Sequence, residues 1–446
     1  MNKSRFSRVF TRLGYSHPLR LILLGYSLYI AVATLLLCLP FSWEDEPISF
    51  LDNLFIATSA VSTTGLITVN TPEAYNFFGE LVILLAFQVG GLGYMTLGSF
   101  VLIASKNPIS YVRQRVGNSV FSLPEGFEFR DFIRHTIIFT LIIEAIGVIC
   151  LYILFRLQGL ELSLWRAIFH SVSAFCTAGF SIFPNSLEDF RGQFGVNFVI
   201  TGLSLLGAIG FLVVSDFWQT IRGHKRQITL STRVILTFTG LLLILGFLFL
   251  LVFDSSLQDL GVWERILAAW FQAMTALTTV GFNTHPIDSL SLAGLFVILL
   301  LMIVGASPSG TGGGLKSTSV AAALATVWAS LRGSNSITFF RRRLPLHRLL
   351  SAFSTVVFYL FAFCLGTTLL LLLQDQSFED VIFEAASALG TVGLSRGITE
   401  DLTVGGKRVV IGLMFIGRVG VISFGVALFQ RRSTPEIVSG EEDLVI

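Results

Sequence analysis

The chain has 446 residues, of which 53% are hydrophobic and 13% are charged. Soluble proteins carry about 25% charged residues, so this composition excludes an ordinary soluble domain. The net charge of +2 indicates no particular partner, and we expect no nucleic-acid partner. The four cysteines are scattered through apolar segments and the repeated motif described below, which argues against a disulfide framework or a zinc site.

Several apolar runs of membrane-spanning length occur along the chain. They cover residues 19–41, 77–104, 137–155, 196–217, 234–253, 292–304, 353–373 and 409–429. A membrane-spanning helix needs about 20 apolar residues, so we predict an all-α integral membrane protein with eight transmembrane helices. The basic N-terminal stretch leads into a run that is too long for a signal-peptide core, and we expect no cleavable signal.

The distribution of charge predicts the topology. Basic residues concentrate in five stretches, which are 1–20, 106–134, 222–233, 332–348 and 431–432. The positive-inside rule assigns all five to the cytoplasm. The segments between them carry most of the acidic residues and would lie outside. We therefore expect a multi-pass protein of the plasma membrane, by inference a bacterial inner membrane, with both termini in the cytoplasm.

A 13-residue motif occurs four times. It reads apolar-Phe-x-[Ala/Ser]-x-[Ser/Thr]-Ala-apolar-x-Thr-x-Gly-apolar and covers residues 54–66, 168–180, 270–282 and 382–394. Its glycines at 65, 179, 281 and 393 are separated by 114, 102 and 112 residues. Near-regular recurrence of this kind indicates an internal repeat. The predicted repeats are 1–110, 111–228, 229–343 and 344–446.

Each motif copy lies between two apolar helices that both have a cytoplasmic end. The copy must therefore enter and leave the membrane on the outer side, as a re-entrant loop made of a short helix and extended backbone. Non-helical backbone at membrane depth is tolerated only inside protein or beside water. Four such pore loops around one pseudo-fourfold axis would present rings of carbonyls, which is how a cation selectivity filter works. The competing interpretation is four tightly packed turns with no ion.

The inner helix of the third repeat is predicted to break. Residues 305–316 contain five glycines and Pro308, which cannot sustain a regular helix. The segment superficially resembles a phosphate-binding loop, but Leu315 occupies the position before Lys316 where glycine is needed. We interpret the segment as a gate beneath the filter, with a passive hinge as the alternative.

Arg418 lies inside the last apolar run. An arginine at the membrane centre costs about 2.5–3.5 kcal/mol on insertion scales, so it should face a cavity or a partner. The alternative to a role below the filter is a salt bridge with Glu144 or Asp216 in helix packing.

One motif position, nine residues before each motif glycine, holds a different side chain in every copy. The residues there are Ile56, His170, Gln272 and Glu384. Because they differ, this position is not a symmetric ion site, and we expect the polar ones to form hydrogen bonds behind the filter.

Four membrane-pore-membrane units with one filter glycine each, a broken third inner helix and an arginine in the fourth resemble the Trk/Ktr/HKT superfamily of potassium transporters. The resemblance covers nearly the whole chain. Within the superfamily the chain looks most like the KtrB-type membrane subunits of Ktr systems. The first outer helix begins near residue 18, which leaves no room for the extra N-terminal hairpin of TrkH-type relatives.

This resemblance implies potassium uptake that is often sodium-dependent, with K⁺ transported and Na⁺ a second candidate ion. It implies a homodimer and a cytosolic RCK-type regulatory ring, KtrA-like, which binds ATP/ADP or NAD, so that nucleotide acts only through the partner subunit. The filter positions it implies are Ser62, Thr63, Thr64, Gly65, Cys176, Thr177, Ala178, Gly179, Thr278, Thr279, Val280, Gly281, Gly390, Thr391, Val392 and Gly393. The gate positions it implies are Gly305, Ser307, Pro308, Gly310, Gly312, Gly313, Gly314, Lys316 and Arg418.

Other functions remain as alternatives. Cys176 and Gly390 depart from a uniform Thr-Thr filter and leave a hydroxyl site below the threonine ring incomplete, so the first alternative is a less selective sodium/potassium translocator, TrkH-like or HKT-like. An alternating-access transporter would need paired ionisable residues near the midplane, for which only Glu144, Asp216 and Arg418 are candidates. An intramembrane enzyme would need a nucleophile–base pair or a metal cluster, and the sequence has neither an HExxH nor a GxSxG motif. We therefore expect a non-enzyme.

Overall fold

The computed structural model describes residues 18–93, 129–222, 227–308, 310–334, 336–340 and 342–420. The basic stretches at the two termini, most of the stretch 106–134 and residues 421–429 of the last apolar run lie outside the described residues. The predicted cytoplasmic location of the termini therefore also lies outside them.

Helices dominate the described part of the chain. In order they are α1 Pro18–Leu37, α2 Phe50–Val61, α3 Thr71–Ala74, α4 Phe77–Leu92, α5 Phe129–Leu157, α6 Ser163–Phe175, α7 Phe194–Ile209, α8 Phe211–Ile221, α9 Leu230–Phe253, α10 Ser255–Gln258, α11 Val262–Thr278, α12 Leu292–Ile303, α13 Ser317–Leu331, α14 Leu346–Leu373, α15 Phe378–Gly390 and α16 Val404–Val419. Two short strand pairs join them: β1 Val304–Gly305 lies parallel to β2 Leu315–Lys316, and β3 Thr338–Phe339 lies antiparallel to β4 Arg342–Arg343.

Three helices of the described part are long and apolar enough to cross a membrane, within α5, α9 and α14. A fourth crossing results if α7 and α8 count as one span, although they meet at an angle of 90°. The apolar run predicted over 196–217 is thus divided between two helices, a bend that the sequence analysis did not predict. The break falls at Gly210, whose φ of +81° is incompatible with a continuing helix. Outward-facing apolar side chains such as Leu245 and Val252 are more than half exposed, as a lipid-facing surface requires.

The helix breaks are not confined to the third repeat. The helices that follow the motif copies, which are α4, α7, α12 and α16, end at Leu92, Ile209, Ile303 and Val419. Three of them are followed directly by a glycine with positive φ, namely Gly93, Gly210 and Gly420. The sequence predicted a break only where five glycines and a proline stand together, and a single glycine gave too weak a signal.

The short helices α2, α6, α11 and α15 are the first parts of the four motif copies. Each packs against one helix that precedes it in the chain and one that follows it. Each is also covered by a helix from the neighbouring copy, since α4 packs on α6, α7 on α11, α12 on α15 and α16 on α2. The motif phenylalanines, Phe55, Phe169, Phe271 and Phe383, are at most 1% exposed and form the core of this arrangement.

Candidate functional site

The four motif glycines lie against one another in a closed ring. A β-carbon added to any of them would lie closer than 3.0 Å to a carbonyl oxygen of the next copy, and 3.1–3.2 Å from the Cα of that copy's glycine. The contacts run from Gly65 to Ala178 and Gly179, from Gly179 to Val280 and Gly281, from Gly281 to Val392 and Gly393, and from Gly393 to Thr64 and Gly65. The ring follows chain order and closes the last copy onto the first.

Only glycine fits these four positions. Their φ angles range from +68° to +95°, in the region that side chains with a β-carbon rarely adopt. The lack of space would exclude a β-carbon whatever the φ angle, because the obstructing atoms belong to the backbone of the adjacent copy and cannot rotate away.

The residue two positions before each ring glycine is a threonine in the left-handed conformation. Thr63, Thr177, Thr279 and Thr391 have φ between +50° and +58°. This conformation costs about 1–3 kcal/mol per residue and persists only where the surroundings hold it. In all four copies the N–H group of the following residue stabilises it by donating to a carbonyl of the short helix at 2.8–3.1 Å. These bonds therefore anchor the extended segment of each copy to its own short helix.

The threonine hydroxyls form a layer next to the ring. All four threonines are completely buried. The hydroxyls of Thr63, Thr279 and Thr391 have no hydrogen-bond partner among the described residues. The hydroxyl of Thr177 donates to the carbonyl of Cys176 at 2.7 Å. A buried hydroxyl without a partner costs about 1–3 kcal/mol, so this layer suits oxygen-ligated species such as a cation or a water.

The first residue of each predicted filter segment differs between copies; Gly390 has no side chain, and the other three side chains contact groups of the protein. Ser62 bonds to the carbonyl of Thr58 at 2.6 Å. Cys176 contacts Gln88 at 3.1 Å, and Thr278 donates to the carbonyl of Met274 at 2.8 Å. The departures at Cys176 and Gly390 therefore do not interrupt the layer of threonine hydroxyls, which is made by the next residue along.

The loop between β1 and β2 lies directly against the threonine layer. A β-carbon on Gly312 would strike the hydroxyl of Thr279, and one on Gly313 would strike that of Thr391. The hydroxyl of Thr311 lies 3.2 Å from that of Thr177. Glycines are needed here because the loop backbone approaches within the space of a methyl group.

Hydrogen bonds fix this loop to the end of α7. The N–H of Ser307 donates to the carbonyl of Ala208 at 3.1 Å, and the N–H of Thr311 donates to that of Gly207 at 3.0 Å. The Lys316 ammonium group reaches back to the carbonyl of Gly312 at 2.7 Å. The loop is thus held in one conformation across the base of the ring.

Arg418 ties the same loop to a different copy. Its guanidinium group donates to the carbonyl of Thr311 in the loop and to the carbonyls of Gly90 and Gly91 at the end of α4. Arg418 therefore binds backbone carbonyls and does not form the alternative salt bridge with Glu144 or Asp216. Glu144 accepts a hydrogen bond from Gln88 at 3.1 Å, and Asp216 accepts one from the N–H of Thr229 at 2.7 Å.

Glycines near the ends of the helices that follow the motif copies mark close approaches to the short helices. A β-carbon on Gly90, Gly207 or Gly417 would strike the carbonyl of Val61, Phe175 or Leu389. Each of these carbonyls lies at or next to the end of a short helix. In the third copy the equivalent Gly305 lies against the carbonyl of Gly313 in the loop.

Polar side chains at the variable motif position form hydrogen bonds behind the ring, and this expectation is confirmed. His170 contacts Ser181 at 3.0 Å, and Gln272 donates to the carbonyl of His285 at 2.6 Å. Glu384 accepts hydrogen bonds from Ser395 and Thr399 at 2.8 and 2.6 Å.

The segments that follow the second and third ring glycines are joined by hydrogen bonds. The amide of Asn283 donates to Glu188 at 2.6 Å, and the N–H of Leu187 donates to the carbonyl of Asn283 at 3.0 Å. Burial raises the pKa of Glu188 above its ordinary value, and the hydrogen bond from Asn283 opposes this shift.

Sequence reasoning missed one contact between the first and last copies. The Lys407 ammonium group at the start of α16 pairs with Asp52 at the start of α2 at 2.6 Å, with side chains 15% and 17% exposed. The two residues are separated by 355 positions, and neither lies in a pattern that predicts a partner. This ion pair links the two ends of the ring.

The fold and this site together define a membrane protein of the cation-transport class. Residues 28–435 match the TrkH family, described as cation transport protein. Because the match covers most of the chain, the chain belongs to that family.

Relatives with assigned names agree with this membership. The chain is 34% identical to Ktr system potassium uptake protein B of Bacillus subtilis, over 91% of this chain and 92% of the relative. It is 32% identical to the protein of that name from Vibrio alginolyticus, over 96% and 94% of the two chains. It is 33% identical to the potassium/sodium uptake protein NtpJ of Enterococcus hirae, over 94% of each chain.

A solved structure has the same fold. The potassium transporter TrkH from Vibrio parahaemolyticus matches with a TM-score of 0.72 at 20% identity, over 91% of this chain and 84% of that one. At this level of identity, the likeness establishes the fold alone.

Proposed function

We propose that this protein is the pore-forming membrane subunit of a potassium uptake system. The observation that carries the proposal is the closed ring of four glycines next to a layer of four buried threonines. It is supported by the relatives named Ktr system potassium uptake protein B. Under this proposal the chain consists of four membrane-pore-membrane repeats, 1–110, 111–228, 229–343 and 344–446, around a single pore.

The proposed filter consists of the extended segments 62–65, 176–179, 278–281 and 390–393. Their carbonyls would replace the water shell of a dehydrated cation. The short helices end at the ring, so that four negative helix-dipole ends are aimed at it, each equivalent to about half an elementary charge. Both contributions favour a cation and neither supplies a site for an anion.

The proposed gate is the loop 305–316 together with Lys316 and Arg418. The loop backbone lies against the hydroxyls of Thr279 and Thr391, and an ion leaving the threonine layer would meet it. Arg418 holds the loop through the carbonyl of Thr311. Opening would require this hydrogen bond to break and the loop to move aside.

The proposed assembly is a homodimer in the plasma membrane, with both termini in the cytoplasm. A cytosolic RCK-type ring that binds ATP/ADP or NAD would regulate the gate, and uptake would depend on sodium. Support for a second component comes from the relatives' description as proteins of a Ktr system. The nucleotide would act only through that partner.

A less selective sodium/potassium translocator is the second candidate. The observation in its favour is the relative NtpJ, whose name covers both ions. The relatives named Ktr system potassium uptake protein B favour the first candidate.

The test is potassium uptake in cells that lack their own potassium transporters, measured with and without an RCK-type partner and with and without external sodium. Rescue at low potassium that needs the partner supports the regulated pore subunit, and the sodium response decides the coupling. Equal uptake of sodium and potassium would favour the second candidate. Absence of rescue under every condition, with the protein present in the membrane, would refute potassium as the transported ion.

A further inference from the structure

Two positions of the motif region vary together across the four copies. The first lies nine residues before the ring glycine, and the second lies two residues after it. The pairs are Ile56 with Ile67, His170 with Ser181, Gln272 with Asn283, and Glu384 with Ser395. The pair is apolar in the first copy and polar in the other three. Matching of this kind indicates that the two positions meet in space.

The structure places members of these pairs on shared contacts. His170 bonds directly to Ser181 at 3.0 Å. Gln272 and Asn283 both direct their amides to the carbonyl of His285, at 2.6 and 3.5 Å.

The fourth and first copies complete the pattern. Glu384 accepts a hydrogen bond from Ser395 at 2.8 Å. In the first copy Ile56 belongs to the hydrophobic core, and Ile67 packs against that core. Each of the three polar pairs thus links a short helix to the segment that leaves the ring.

The fourth pair is the most elaborate of these ties. Glu384 is completely buried, and its second oxygen accepts a hydrogen bond from Thr399 at 2.6 Å. The hydroxyls of Thr399 and Ser395 are themselves 2.9 Å apart, so the three side chains form a closed triangle. Only Leu394 separates Ser395 from the ring glycine of this copy.

The same short helix holds this segment a second time, one turn earlier. Asp380, four residues before Glu384, forms an ion pair with Arg396 at 2.6 Å. The two carboxylates therefore lie on one face of α15 and bind three side chains of the segment 395–399. None of these groups touches the ring directly, so any effect on an ion must act through the backbone.

We propose that Glu384 is a positioning residue, which holds the outer end of the fourth ring segment and thereby sets the preference for K⁺ over Na⁺. The proposal rests on the ring being the filter. A carbonyl ring that distinguishes ions by radius must keep its oxygens apart against their tendency to close around a smaller ion. The tie from Glu384 opposes that movement on one side of the ring. Because the first copy has only an apolar pair, the four sides of the ring are held unequally.

The test compares Glu384→Ala with the conservative Glu384→Gln. Glutamine retains one acceptor oxygen, and its amide donates to a hydroxyl that rotates to accept, so it should preserve both links. A matched control is Thr368→Ala, which removes an exposed hydroxyl that bonds only to the carbonyl of Cys364 in its own helix. Ser395→Ala removes one link and serves if the alanine variant at 384 does not fold.

Two readouts separate positioning from selectivity. Hydrogen exchange of the amides 393–399 in purified protein should be at least about tenfold faster in Glu384→Ala, and unchanged in Glu384→Gln and Thr368→Ala. The ratio of K⁺ to Na⁺ uptake should fall at least about fivefold in Glu384→Ala and stay near wild type in the other two.

Each outcome of these two measurements supports or overturns one part of the proposal. Unchanged exchange in both Glu384→Ala and Ser395→Ala would overturn the positioning role. Faster exchange with a wild-type ion ratio would overturn the effect on selectivity. If the wild-type protein carries no potassium, the proposed function fails, and the exchange measurement still decides whether Glu384 holds this segment.

Discussion

Replacing Gly281 by serine is the sharpest test of the ring. The new β-carbon would lie well inside 3.0 Å of the carbonyl oxygen of Val392 and 3.1 Å from the Cα of Gly393. Both are backbone atoms of the next copy, so the ring must open to make room. Forcing a β-carbon into the left-handed region costs about 1–2 kcal/mol. Overpacking a rigid site costs about 1–3 kcal/mol more.

The combined cost of about 2–5 kcal/mol corresponds to a loss of at least about 30-fold in the population of the intact ring. We therefore expect Gly281→Ser to lower potassium uptake by about that factor or to abolish the preference for potassium over sodium. Uptake is measured in transport-deficient cells, with the amount of protein in the membrane determined by immunoblot.

Two control variants separate the causes. Gly159→Ser has the same kind of positive φ, +74°, but nothing lies within 4 Å of the added β-carbon. Gly412→Ser lies in a helix and also meets open space. Both should retain uptake and selectivity. Normal selective uptake by Gly281→Ser would refute the assignment of the ring as the filter, because the substituted site cannot keep this geometry.

Three further predictions concern the surroundings of the ring. Thr391→Val keeps the shape of the side chain but removes a buried hydroxyl that has no hydrogen-bond partner among the described residues. Potassium uptake should therefore fall, while the free energy of unfolding stays equal or rises by about 1 kcal/mol. A fall in both uptake and stability would contradict this prediction. Arg418→Gln weakens the link to the loop and should increase partner-independent uptake, whereas the exposed Arg408→Gln in the same helix should not; equal uptake by the two variants would argue against a latch. Asp52→Lys should lower the melting temperature of the purified protein, and adding Lys407→Asp should restore much of it, since the largely buried pair is worth about 1–3 kcal/mol; no recovery in the double variant would contradict a direct pairing.

Arg418 illustrates how the fold offsets a cost that the sequence makes visible. An isolated arginine at the membrane centre costs about 2.5–3.5 kcal/mol on insertion scales. Here its guanidinium group donates to three backbone carbonyls, those of Thr311, Gly90 and Gly91. A carbonyl oxygen can accept two hydrogen bonds, so that of Gly90, which accepts one from the N–H of Gly93 at 3.2 Å, is still available to the guanidinium group.

Several features were determined by the sequence alone because each leaves a local pattern. The motif repeats along the chain, and the glycine at its end is required wherever backbone with positive φ must pass another backbone closely. The helix break at 305–316 follows from its glycines and proline, and hydrogen bonding of His170, Gln272 and Glu384 follows from polar groups in an apolar helix. Family membership follows from the same residues.

Other features were decided only by the tertiary structure. The order in which the four segments contact one another, the acceptors of Arg418 and the pairing of Lys407 with Asp52 join residues that are far apart in the chain. The bend at Gly210 was missed, because one glycine in an apolar run is compatible with a continuous helix until its neighbours are known. Local patterns determine which backbone conformations are possible. Contacts between distant segments select among these conformations, and such contacts exist only when the four copies have packed against one another in the folded protein.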